Sequence, residues 1–225
     1  MSTSLPTILP ITRSKTEARQ SYNKLSRWYD MLAGSSEEKY RRMGPQLLNA
    51  SPGETVLEIG CGTGSSLADL ANAVGQDGTI LGMDISNGML AQAAAKIKPM
   101  SAANIHLLAA DGLHPPLPAA NIDAIFMSFT LELFASDEIP LVLAACKWLL
   151  KDCGRIALVS MAQSDKTSLM TRMYEWAHIH WENYVDCRPI PTVKFLQESG
   201  FIIEASRRNS MWGLPVDIVL ASINH

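Results

Sequence analysis

The chain has 225 residues, 47% of them hydrophobic, with 19 Lys and Arg against 22 Asp and Glu for a formal net charge of -3. That size suits one domain with a full core. The acidic balance argues against a nucleic-acid binder, which carries a basic stripe rather than pairs such as Arg41-Arg42 and Arg207-Arg208.

Four scattered cysteines, Cys61, Cys146, Cys153 and Cys187, form no C-x-x-C pair and join no histidine cluster. They read as reduced thiols of a cytoplasmic protein without a metal site. The first fifteen residues, with three Thr and two Pro, lack a continuous apolar run. They read as a flexible N-terminus rather than a signal peptide or a membrane span. A helical cap is expected over residues 16–50.

From Ser51 onward, short apolar runs alternate with longer helical patterns, the sign of an α/β doubly wound sheet. The first strand is expected over Thr55–Gly60, with a helix from about Gly64 to Val74. A second strand follows over Thr79–Asp84. Ser86 is a good N-cap for a helix carrying Met89, Leu90, Ala93 and Ile97, which Pro99 stops. The third strand is Asn104–Ala109. Leu113–Pro118 holds three prolines and is neither helix interior nor central strand. Ile122–Phe129 is nearly all apolar, a strand buried on both faces. Ser136, Asp137 and Glu138 open a helix whose Ile139, Val142, Leu143, Cys146 and Leu150 line one face. Gly154 leads into a fifth strand, Arg155–Met161. Pro191–Ser199 is a short helix closed by Gly200. Phe201–Met211 and Pro215–Ile223 are strands joined too tightly for a crossover, hence antiparallel. Residues 162–191 leave the fifth strand at the edge where ligands bind in open α/β sheets, and so form a lid insertion in a domain spanning residues 51–225.

The chemistry concentrates in Val56-Leu57-Glu58-Ile59-Gly60-Cys61-Gly62-Thr63-Gly64, followed by Gly82-Met83-Asp84-Ile85-Ser86. An apolar strand ends in a loop of alternating glycines, which can approach a ligand without a Cβ in the way. A second strand ends in an aspartate able to accept two hydrogen bonds from ribose hydroxyls. A dinucleotide site needs G-x-G-x-x-G, but Ser65 and Leu67 stand where the third glycine would fall in the two frames.

The pattern Glu58-x-Gly60-x-Gly62-x-Gly64 resembles motif I of the class I S-adenosylmethionine (SAM) methyltransferases. From about Lys24 to Met161 the chain resembles the UbiE/COQ5-like (methyltransferase type 11) branch. Trp28-Tyr29-Asp30, Met89-Leu90, Ala110-Asp111-Gly112 before Leu117-Pro118, and Met127-Ser128-Phe129-Thr130-Leu131 complete the likeness. It implies a Rossmann-like α/β fold: a doubly wound, mostly parallel seven-stranded sheet with an antiparallel C-terminal strand pair. It also implies SAM as cofactor, with S-adenosylhomocysteine (SAH) as product. In this likeness Gly60, Gly62, Thr63 and Gly64 border the methionine part of the cofactor, over Glu58. Asp84 takes the ribose hydroxyls, Ile85 packs on adenine, Asp111 and Gly112 meet its edge, and Ser128 lies near the sulfonium. Asp111 read alone is equally a turn residue, and Ser128 a strand-end hydroxyl bonded to backbone. Asp123 reads as structural.

Quinone C-methylases of this branch carry a Gly and then an Arg-Asn pair where this chain has Thr130, Glu132 and Leu133. Glu132 would favour a cationic acceptor, act as a base, or simply face water. Between Met170 and Tyr184 lie Trp176, His178, His180 and Trp181, a helical pattern apolar on two sides. His180 and His178 are the candidate bases, and Tyr22, Tyr29, Phe129, Trp176 and Tyr184 the candidate acceptor contacts. The expected reaction is methyl transfer to an apolar or amphiphilic small molecule such as a quinone precursor or lipid. The second reading is a SAM-binding regulatory or interaction protein without catalysis. No nucleic-acid partner is expected; a homodimer and a peripheral membrane contact are both compatible with the sequence.

Overall fold

The computed structural model describes residues 8, 14–26, 39–40, 42–98, 104–163, 187–211 and 213–223. Seven strands form one sheet in the order β3-β2-β1-β4-β5-β7-β6. They are β1 Thr55–Ile59, β2 Thr79–Asp84, β3 Asn104–Ala109, β4 Ile122–Ser128, β5 Leu150–Met161, β6 Phe201–Met211 and β7 Leu214–Ile223. Strands β1 to β5 pair in parallel, whereas β7 pairs antiparallel with both β5 and β6. The chain runs outward from β1 through β2 to β3, then steps to the other side of β1 with β4. That reversal opens a crevice at the carboxyl ends of β1 and β4, where ligands of such sheets bind.

The apolar runs read as buried strands because they serve two cores. Along β4, Ala124 and Phe126 belong to one core while Ile125 and Met127 belong to the other, and all four are solvent-inaccessible. Helix α2, Leu67–Val74, covers the first core with Leu67, Leu70, Ala71 and Val74. Helix α4, Ile139–Leu149, covers the second with Ile139, Val142, Leu143 and Cys146. Each Leu, Ile, Val, Met or Phe among them contributes roughly 1.5–3 kcal/mol by leaving water.

Two helical segments from the first fifty residues pack against this framework. Helical residues 42–48 lie in the first core, where Gly44 lets the backbone approach the Phe126 ring. Arg155 holds the end of that segment by donating to the Leu48 carbonyl at 2.8 Å and the Asn49 carbonyl at 2.9 Å. Helix α1, Lys15–Leu25, begins with a capping box between Ser14 and Glu17. Its Asn23 Oδ1 accepts from Ser86 Oγ at 2.7 Å and from the Gly88 amide at 2.8 Å. This contact docks α1 on the start of helix α3, Asn87–Ile97, which Ser86 caps through the Met89 amide. Helix α5, Thr192–Glu198, is the last among the described residues.

Several boundaries differ from the sequence reading. Helix α2 starts at Leu67 rather than Gly64, because Gly64 sits at φ +76 and cannot open a helix. β4 ends at Ser128 because Phe129 turns to φ +50. Leu150 belongs to β5, not to the α4 face, since it pairs with Ile122 before a register shift. Cys153 at φ +65 takes up the irregularity. Asp123 is structural as expected: it accepts from the Thr55 amide at 2.8 Å and pairs with Lys151 at 2.8 Å. Among the described residues, no helix is long and apolar enough to cross a membrane.

Candidate functional site

A pocket opens at the crevice between β1 and β4. Its floor is the loop after β1. Gly60, Gly62 and Gly64 adopt φ of +73, +53 and +76, a region that side chains with a Cβ rarely enter. At Gly60 the need is double, because a Cβ there would collide with the Thr130 side chain across the crevice. Thr130 is fixed in place by its own hydroxyl, which donates to the Ser128 carbonyl at 3.0 Å.

Asp84, at the end of β2, forms the next wall. Its Oδ2 accepts from the Gly62 amide at 2.9 Å and its Oδ1 from the Ser86 amide at 2.8 Å. Burial pushes the carboxyl above its ordinary value, and the two amide donors only partly counter this. A ligand that donates hydroxyl groups here would meet a carboxylate short of partners for its charge. Ile85 lies beside it in the lining. Cys61 also lines the floor, but burial first, and then the Glu58 and Asp84 carboxylates, push its thiol far up. That environment disfavours the thiolate a nucleophile would need.

The loop after β3 supplies Ala110, Asp111 and Gly112. Asp111 Oδ1 accepts from the Leu113 amide at 3.0 Å, the turn geometry its sequence suggested. Its Oδ2 meets Lys15 Nζ at 2.7 Å, and Lys15 also reaches Glu138 at 3.1 Å. Burial works against the Lys15 charge, but these two carboxylates outweigh it and hold the ammonium above its usual value. Lys15, Ala18 and Tyr22, spaced along one side of α1, close the pocket over this end.

The end of β4 and its following turn form the last wall, from Ser128, Phe129, Thr130, Leu133 and Phe134. The Ser128 hydroxyl is buried with no hydrogen-bond partner among the described residues. A buried hydroxyl left so costs free energy unless something else in the pocket meets it. The strand-end bond to backbone, considered from sequence, is therefore not what holds it. Glu58 lies beneath the loop at 2% exposure and also reaches the lining.

The pocket thus brings together Glu58, Gly60, Gly62, Thr63, Asp84, Ile85, Asp111, Gly112, Ser128, Phe129 and Tyr22. Gly64 stands behind the loop, packed against Ala93 and Leu67. Glu132 requires correction. It is fully buried, does not line the pocket, and spends Oε1 on the Met161 amide at 3.0 Å. It does not face water. Tyr29, Trp176, His178, His180 and Tyr184 lie outside the described residues. Sequence reasoning missed Lys15 and Arg188. Lys15 stands in an unremarkable Arg13-Ser14-Lys15 run, and Arg188 is placed only by long-range packing.

Residues 56–154 match a family described as a methyltransferase domain. The aklanonic acid methyltransferase DauC of Streptomyces sp. (strain C5) is 34% identical over 149 residues, 65% of this chain and 66% of that protein. The demethylmenaquinone methyltransferase of Bacillus licheniformis is 32% identical over 114 residues, 49% of this chain and 48% of that protein. The chain therefore spans less than two thirds of the length of these curated relatives. The magnesium protoporphyrin IX methyltransferase (ChlM) from Synechocystis PCC 6803, solved with bound SAH, superposes with a TM-score of 0.72 at 20% identity. That likeness covers 94% of this chain and 100% of that one, and it bears on the fold. Residues 56–154 thus form a methyltransferase domain similar to those of the class I SAM-dependent methyltransferases of the UbiE-like type.

Proposed function

We propose that this chain transfers the methyl group of SAM to a small, largely apolar acceptor of the quinone or aromatic polyketide kind. The observation that carries the reading is the pocket itself. One end offers a glycine cradle and a charged strand-end aspartate, and the other an uncharged wall of Phe129, Thr130, Leu133 and Phe134. The names of two relatives, an aklanonic acid and a demethylmenaquinone methyltransferase, point to the same acceptor chemistry.

The residues present fit the cofactor. Asp84 is a half-buried carboxylate whose charge two ribose hydroxyls would stabilise. Ile85 and Gly112 flank the space an adenine ring would take, with Asp111 at its edge. The loop from Gly60 to Thr63 leaves room for the methionine portion above Glu58. The orphaned Ser128 hydroxyl supports a polar ligand group at the end of β4. When bound, SAM supplies a sulfonium methyl open to in-line displacement. The chain's own residues contribute binding and alignment, and the aromatic wall together with α1 excludes water. Because positive charge is neutralised as the methyl moves, a dry, aligned site does much of the work.

The test is SAH release from SAM in the presence of a panel of hydroxynaphthoquinones, hydroxyanthraquinones, their carboxylated forms, and cationic aryl amines. Release with the uncharged or carboxylated quinones is expected. Release only with the amines would refute the acceptor class, and SAM binding without turnover of any acceptor would favour a non-catalytic binder.

A further inference from the structure

We propose that Arg188 is a positioning residue: with Glu132 it forms an interior clasp that fixes the wall from Phe129 to Phe134 and keeps charge out of it. The acceptor is then uncharged where it meets that wall. This last step rests on the methyl-transfer reading above; the clasp itself does not.

Both side chains are fully buried, the least common place for a guanidinium and a carboxylate. Arg188 Nε donates to the Glu132 carbonyl at 3.1 Å, Nη1 donates to Ser136 Oγ at 2.9 Å, and Nη2 donates to the Phe134 carbonyl. One planar fork therefore holds three successive points of the turn after β4. Burial pulls the guanidinium below its ordinary value, and the Glu132 and Asp137 carboxylates work to keep it charged. Glu132 in turn accepts from the Met161 amide, at the end of β5.

The same place joins two distant stretches of chain. Met161 ends β5, and Arg188 lies shortly before α5. Their neighbours are stitched directly: the Ile190 amide donates to the Met161 carbonyl at 3.0 Å, and the Ser160 and Thr192 hydroxyls lie 2.5 Å apart. The Cys187 thiol reaches the Phe129 carbonyl at 3.9 Å. Phe129 holds a positive φ of +50, a conformation that persists only where surroundings enforce it. Cys187 holds the Phe129 carbonyl from one side, and on the other the Phe129 amide donates to the Val159 carbonyl of β5 at 2.7 Å, while Arg188 fixes the turn that follows.

The consequence for specificity follows from where the charges end. The guanidinium and the Glu132 carboxylate are consumed behind the wall, and what faces the pocket is Phe129, Thr130, Leu133 and Phe134. These four side chains carry no charge, and the ammonium of Lys15, 5.8 Å over the Phe134 ring, is already paired with Asp111 and Glu138, so among the described residues an ionic acceptor group would find no unpaired counter-charge at this wall.

Hydrogen–deuterium exchange on the full chain tests the clasp without any acceptor. R188M leaves the Glu132 carboxylate buried without its cation, whereas E132Q/R188M removes both charges, a change interiors tolerate far better. R188M should raise exchange of peptides spanning 129–136 about tenfold while the β1 and β2 peptides are unchanged, as expected of local opening. E132Q/R188M should recover most of that protection. Unchanged exchange in R188M, or a double variant no better protected than R188M, overturns the clasp. If R188M fails to fold, recovery of a folded chain by E132Q/R188M is the supporting result, and failure of both overturns it. Where the wild type turns over a hydroxyquinone, E132Q should keep the shape of the pH–rate profile; loss of its acid limb would make Glu132 a base and overturn the assignment. A wild type inactive on every acceptor refutes the proposed function but leaves the exchange result to decide the clasp.

Discussion

Asp84 Oδ2 accepts the Gly62 amide at 2.9 Å, so the end of β2 holds the loop that follows β1. The carboxylate proposed to read the ribose therefore also sets the shape of the glycine cradle, while its Oδ1 anchors the Ser86 amide. Cofactor contact and loop geometry depend on one side chain.

The two roles separate by substitution. Asp84→Asn keeps one oxygen acceptor and the size of the group, but loses the charge. We expect SAH affinity to fall about a hundredfold, from roughly 2–4 kcal/mol of lost charge-assisted bonding. The melting temperature should drop only slightly. Asp84→Ala should lower both, since Gly62 and Ser86 lose their acceptor. Calorimetry showing unchanged SAH affinity in the Asn variant would remove Asp84 from the cofactor site.

Ser128 offers the opposite signature. Its hydroxyl is buried and unbonded among the described residues, so deleting it breaks no protein hydrogen bond. Ser128→Ala should leave thermal stability unchanged or slightly higher, because an unsatisfied buried polar group costs about 1–3 kcal/mol. If a ligand group meets that oxygen, SAH or SAM affinity should fall about five- to tenfold, one net hydrogen bond. A variant that is less stable and binds normally would mean the hydroxyl serves the fold.

Gly60 and Thr130 face each other across the crevice, and both sides of that contact can be changed. Gly60→Ala puts a Cβ into the Thr130 side chain and into a positive φ of +73. The steric part should cost about 1–3 kcal/mol and the backbone part about 1 kcal/mol more. Adding Thr130→Gly should relieve only the steric part. Chemical denaturation of the single and double variants measures this; equal stability of the two would show that the side chains do not meet.

The sheet was legible where one strand's own residues decide its state. Thr79–Asp84 and Asn104–Ala109 match the expected bounds, and Ser86 caps α3 as its side chain and position suggested. Boundaries slipped where a backbone angle or a partner strand decides. Gly64 and Phe129 turn to positive φ, and Leu150 is claimed by Ile122 of β4. In the pocket, the motif residues converged because short-range loop geometry carries them. Glu132 was misjudged for a physical reason: its surroundings come from Met161 and Arg188, 29 and 56 positions away, and no local pattern announces such a pair.

The last prediction concerns acid stability and the Glu54–Arg155 pair. Arg155 donates to both Glu54 oxygens, at 2.9 and 2.8 Å, while also holding the carbonyls of Leu48 and Asn49. Burial opposes the Glu54 charge, yet the Arg155 hydrogen bond, the Ser51 amide and the Arg155 charge together hold the carboxyl below its ordinary 4.5. The folded value thus lies below the unfolded one. The pair's contribution is then fully present above the unfolded value and is lost as pH falls through the folded one. Glu54→Gln should cost about 1 kcal/mol at neutral pH, typical of a partly buried bidentate pair. Its stability should converge on that of the wild type as the solution is acidified well below the ordinary carboxylate range. Urea midpoints from neutral to strongly acidic pH measure the gap between the two proteins. A gap that stays constant would mean the pair acts through packing of Arg155 against helical residues 42–48, and not through the Glu54 charge.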